Sequence, residues 1–106
     1  MKQYLYRVEP TGTEILAHDP PPEVVEILQQ HVAYVRELTE SGVVVLAGRT
    51  CTTDETTFGI IIFNAESDAA AREIMNNDPG VKSGLMQAKL FPYQIAFANI
   101  THAIRR

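Results

Sequence analysis

The chain has 106 residues, of which 45% are hydrophobic and 21% charged, a balance ordinary for one soluble globular domain with its own core. The net charge is −4 and the nine Lys and Arg are dispersed apart from Arg105-Arg106, which argues against nucleic acid as a partner. A single cysteine, Cys51, excludes an intrachain disulfide, and no apolar run approaches the ~18 residues that read as a membrane span.

The opening, Met1-Lys2-Gln3-Tyr4-Leu5-Tyr6-Arg7, lacks the apolar run of a signal peptide, so a cytoplasmic location is expected. Residues 3–8 are rich in strand formers and predict a first strand. Residues 10–22 form a loop, closed by Asp19-Pro20-Pro21-Pro22. Pro22 suits the first turn of a helix, and Glu23 and Glu26 complement its positive end. That helix runs to a cap at Ser41-Gly42. Residues 43–50 predict a second strand, residues 51–57 a polar turn, and residues 58–63 a third strand. Ser67 caps a second helix whose inward face is Ala70, Ala71, Ile74 and Met75, and Asp78-Pro79-Gly80 ends it. Residues 85–98 predict a long last strand, interrupted at Pro92.

The order strand, helix, strand, strand, helix, strand predicts an α+β, ferredoxin-like split βαβ domain over residues 1–106. Its antiparallel sheet carries two helices on one face and leaves the other bare. Val43 to Leu46, Ile60 to Phe63 and both parities of residues 85–98 are largely apolar, whereas a sheet with one solvated face should alternate. A homodimer packed sheet to sheet is therefore expected.

His31 is the candidate for chemistry. Val24, Ile27, Leu28, Val32, Val35 and Leu38 repeat with helical spacing, and at about 100° per residue His31 falls inside their stripe. An imidazole there needs a hydrogen-bond partner or a cleft, since an unsatisfied buried group costs about 1–3 kcal/mol. A histidine bonded to a backbone carbonyl meets that need. So does a general acid or base, because the free imidazole titrates near neutrality. Asp78 extends the inward stripe of the second helix and is the natural partner of His31. Before Pro79 it also suits a cap on the turn around Val81, the more common use of Asp-Pro. Arg49 could grip a carboxylate in two-pronged fashion or form a rim salt bridge. Tyr34, three residues after His31, could donate to a ligand or simply pack. His18, His31, His102 and Cys51 show no metal-ligand spacing, no phosphate loop is present, and no cofactor is implied.

The run His31-Val32-Ala33-Tyr34-Val35-Arg36-Glu37-Leu38, then Gly42, Leu46-Ala47-Gly48, Phe58-Gly59-Ile60-Ile61-Ile62-Phe63, Asp78-Pro79 and Leu90-Phe91-Pro92-Tyr93 resembles the YciI-like (YCII-related) family. The resemblance covers residues 3 to 97. It implies a dimeric α/β barrel of ferredoxin-like protomers, related to muconolactone isomerases, with a His–Asp pair in a cleft. His31 and Asp78 stand at those positions, which places the pair reading of Asp78 above the cap. It further implies a cofactor-independent proton transfer on a small, cyclic or anionic metabolite. A non-catalytic small-molecule-binding or accessory module is the alternative. Gly48-Arg49-Thr50 departs from the Gly-Pro of many members, and Arg49 suits a more anionic ligand.

Overall fold

The computed structural model describes residues 1–104; the terminal Arg105-Arg106 pair lies outside them. Its elements are β1 (Lys2–Pro10), α1 (Pro22–Glu40), β2 (Val44–Arg49), β3 (Gly59–Ala65), α2 (Asp68–Asn76), α3 (Pro79–Lys82) and β4 (Met86–Pro92), with a short 3-10 turn at Ile100–His102. The four strands form one antiparallel sheet in the order β2-β3-β1-β4. This is the ferredoxin-like split βαβ fold.

Strand alternation assigns the two faces of the sheet. Tyr4, Tyr6 and Val8 of β1 lie beside Phe63, Ile61 and Gly59 of β3. The same three lie beside Pro92, Leu90 and Ala88 of β4. Together with Val44, Ala71, Met75 and Met86 they build the core under the helices. Ile62 is buried as well but is not part of that cluster, because it points to the opposite face. A bulge at Val45 lets Val44 and Ala47 share the helix side while Leu46 faces away.

α1 opens with Pro22 at its first position, where a missing N–H costs nothing. It closes at Ser41, with Gly42 in the left-handed region at φ 87°. α2 starts as its sequence predicts, with the Ser67 hydroxyl accepting from the Ala70 N–H at 3.1 Å. No helix among the described residues is long and apolar enough to cross a membrane.

One expectation is extended and one is corrected. Asp78-Pro79-Gly80 does more than end a helix. α2 stops at Asn76, and Asp78 then caps the new turn α3. The last strand does not run to residue 98. It ends at Pro92, on an edge strand of the sheet, where a residue without an N–H is tolerated. Beyond it the main chain keeps only the Tyr93 N–H to the Gln3 carbonyl, 3.0 Å, and the Ile95 N–H to Gln3 Oε1, 2.7 Å, as links to β1. Phe97 is left 96% exposed. The outward parity of β4 within the sheet is Gln87, Lys89 and Phe91, which is more polar than the expected pattern.

Candidate active site

The site begins with the stripe of α1. Val24 is buried, and Leu28, Val35 and Leu38 pack on the core, whereas Val32 is 48% exposed. The inward positions are thus 24, 28, 31, 35 and 38, alternating steps of four and three, with His31 at the centre. Val32 lies one residue, about 100°, around the helix from His31 and turns outward.

Opposite this stripe stands Asp78, between α2 and α3, with a side chain 0% exposed. Its Oδ1 lies 2.7 Å from His31 Nδ1 and accepts the Gly80 N–H at 2.9 Å. Its Oδ2 accepts the Tyr6 hydroxyl at 2.7 Å. The pair and the cap, read from the sequence as alternatives, are therefore both made by one carboxylate. An ionised carboxylate can only accept, which assigns the proton of this contact to Nδ1 of His31. In the neutral ring, Nε2 is then the basic nitrogen.

The histidine side chain is 17% exposed. No buried side-chain nitrogen or oxygen among the described residues lacks a partner. Nε2 makes no hydrogen bond among those residues, so it reaches solvent. The orientation resembles that of an imidazole held by an acid at one nitrogen and free to work at the other.

Tyr6 is the residue that sequence reasoning missed. Its signal was parity: Tyr4, Tyr6 and Val8 share the inward face of β1, and a buried phenol must find an acceptor. Tyr4 and Tyr6 divide the work along the helical layer. Tyr4 donates to Asp68 at the start of α2 at 2.6 Å, and Tyr6 to Asp78 at the start of α3. Tyr6 also packs edge-on against Phe63, with ring centroids 5.6 Å apart.

Both phenols hold their protons more tightly than usual. The hydrogen bond to Asp68, then burial, pushes Tyr4 up to about 12. Burial, then the negative charge of Asp78, pushes Tyr6 up as well. Raised folded values stabilise the fold fully below the unfolded value of about 10, and the contribution is lost as pH rises past it. Urea midpoints should therefore be level from about pH 8 to 9.5 and fall above about pH 10. A midpoint still level at about pH 11 would show that the tyrosines do not carry this linkage.

The other candidates stand differently. Tyr34 gives its proton to the Ile74 carbonyl at 2.6 Å, bracketing α1 to α2, rather than holding it free for a ligand. Burial, then the charges of Asp78 and Glu73, raises its pKa. Arg49 is exposed at the end of β2, opposite Gly59 and on the helix side of the sheet by register. It forms no ion pair among the described residues. Two open cavities, of about 320 and 620 Å3, lie elsewhere. The first lies between the end of α1 and α2. The second lies between the β1–α1 loop and the threonine-rich β2–β3 loop. Neither is lined by His31 or Asp78. Among the described residues, no three His, Cys, Asp or Glu side chains converge to hold a metal ion.

The fold and the buried acid–imidazole pair define a small ferredoxin-like domain with a polar centre between helices and sheet. The chain belongs to the YCII-related domain family, whose model matches residues 7–92. No curated protein is significantly similar to it. Among solved structures it is similar to the 5-chloro-2-hydroxyhydroquinone dehydrochlorinase of Burkholderia phenoliruptrix in complex with 2,5-dihydroxybenzoquinone. That match has 20% identity and a TM-score of 0.65, covering 87% of this chain and 93% of that one. It is also similar to a muconolactone isomerase, with 14% identity and a TM-score of 0.60 over 96% of this chain and 99% of that one. At these identities the likeness shows the fold alone.

Proposed function

We propose that this protein is a small enzyme that moves a proton on a small cyclic or anionic molecule without a cofactor, with His31 and Asp78 as its working pair. The observation that carries the reading is the 2.7 Å contact of His31 Nδ1 with a fully buried carboxylate, with Nε2 left facing solvent. Neutral His31 takes a proton from the substrate at Nε2. The imidazolium that forms lies against Asp78, and the proton returns to a second substrate atom or leaves with a departing group. The two similar structures are, by name, an isomerase and a dehydrochlorinase, which supports small-molecule chemistry of this kind. Arg49, at the end of β2, is the group we assign to an anionic substituent. A cytoplasmic site of action accompanies this reading.

The test is deuterium incorporation from heavy water into a panel of hydroxylated rings and lactones, followed by mass spectrometry. Wild-type protein should label at least one compound, and His31→Gln should not. The competing reading is a binding or accessory module in which the same pair only brackets α1 to α3. The hydrogen bonds from Tyr34 to the Ile74 carbonyl, which joins α1 to α2, and from the Gly80 N–H to Asp78, which caps α3, favour it. A compound that binds tightly but is never labelled, with affinity unchanged in His31→Gln, would establish that reading.

The homodimer belongs to this proposal. The sheet face turned away from the helices carries Leu5, Leu46, Ile60, Ile62 and Phe91, bordered by Arg7 and Lys89. Phe91 is exposed there, Leu5, Leu46 and Ile60 are half-buried and Ile62 is buried, and a second copy packed face to face would cover what remains open. Sedimentation equilibrium should give twice the chain mass for wild type and the single mass for Ile60→Lys. A monomeric wild type would end the idea.

A further inference from the structure

We infer that Tyr6 is a positioning residue that sets the proton affinity of His31 through Asp78. The inference rests on the proposed role of His31 as the proton carrier, but it can be tested without a substrate.

Asp78 is wholly buried, and no lysine or arginine among the described residues pairs with it. Its charge is met by hydrogen bonds from the Tyr6 hydroxyl, the Gly80 N–H and His31 Nδ1. Gly80 and His31 both use Oδ1, so among the described residues Tyr6 alone holds Oδ2. Two bonds on Oδ1 and one on Oδ2 fix the plane of the carboxylate. Donation to Oδ2 also draws negative charge away from the imidazole, because a hydrogen bond to the charged form stabilises it where it stands. The phenol is itself 0% exposed and packed against Phe63, so it cannot turn to water instead. Its raised pKa keeps it a donor through the neutral range.

The groups facing this centre are few. β1 supplies Tyr6. α1 supplies Tyr34, whose proton goes to Ile74. α2 supplies Glu73, which acts on Tyr34. Lys82 of α3 makes no ion pair with Asp78. The inward positions of β3 and β4 near Tyr6 are Ile61, Ala88 and Leu90, which do not titrate. Arg49 of β2 makes no ion pair with the centre. Tyr6 is therefore the group positioned to moderate the pull of Asp78 on His31.

The experiment is a nuclear magnetic resonance titration of the His31 ring nitrogens. With Tyr6→Phe, the carboxylate loses its donor at Oδ2 and presents more of its charge to the imidazole. The His31 midpoint should rise by about half a pH unit or more. In an Asp78→Asn background the same Tyr6→Phe change should move the midpoint by nothing measurable, since the path is cut. Incorporation of 3-fluorotyrosine at position 6 provides a second route that keeps the size of the side chain. The more acidic phenol is a stronger donor, and the midpoint should fall. An unchanged midpoint in Tyr6→Phe, or a shift that survives in Asp78→Asn, would overturn the inference. Lost labelling activity alone would bear on the proposed function, not on this coupling.

Discussion

Replacement of Asp78 by alanine is expected to lower the unfolding free energy by about 3–5 kcal/mol, a large part of the stability of a domain this size. The change deprives donors on separate elements of their acceptor: Tyr6 on β1, His31 on α1 and Gly80 on α3. Each orphaned group costs about 1–3 kcal/mol where water cannot reach it. Loss of the cap on α3 is part of the same sum, at about 1 kcal/mol. The total stays below the simple addition, because deleting a buried charge recovers its desolvation. Asp78→Asn should cost less, about 1–3 kcal/mol, since the amide keeps the shape and one acceptor oxygen. Urea unfolding followed by circular dichroism checks both values. A loss below about 1 kcal/mol for Asp78→Ala would mean that water already serves these donors.

This dependence explains why the fold was more legible in the sequence than the site. Each element announces itself locally: Pro22 opens α1, Gly42 closes it and Ser67 caps α2. Alternation in β1 and β3 then fixes which side faces the helices. Failures arose where a local signal has two outlets. Pro92 reads as an interruption because the apolar pattern continues to Phe97. The pattern cannot reveal that no neighbouring strand continues the β4 ladder, and the chain leaves the sheet. Helical spacing puts Val32 in the α1 stripe, but the stripe that packs is the narrower one centred on His31.

At the centre, periodicity gave His31, and the inward stripe of the second helix brought Asp78 within range. Neither could say that one carboxylate both caps α3 and holds the imidazole, because two acceptor oxygens make these uses compatible. For Tyr6, parity gives burial but not the partner of its hydroxyl. A strand tyrosine at an inward position reads first as core. Only the fold shows that its hydroxyl meets a residue 72 positions away. Residue type and local position, the strand end for Arg49 and the helix face of His31 for Tyr34, point to these two but do not give their partners. Tyr34 proves to be a helix bracket by geometry, and Arg49 an exposed strand end.

His31→Gln is expected to abolish deuterium labelling, with a loss of about a hundred- to ten-thousand-fold, while changing stability by no more than about 1 kcal/mol. Glutamine can place an amide N–H toward Asp78 Oδ1, so the carboxylate keeps a donor and the helices stay bracketed. It has no nitrogen that accepts and releases a proton near neutrality. His31→Ala is the less informative change, because it removes the donor to Asp78 as well as the ring. Asp78→Asn should also reduce labelling. The amide can offer an N–H to Nδ1 and select the tautomer that blocks Nε2 with the proton. The decisive comparison is between His31→Gln and wild type at equal folded concentration, confirmed by identical urea midpoints. If both label substrate at the same rate, the proton is moved elsewhere, and the buried pair serves only to lock α1 onto α3.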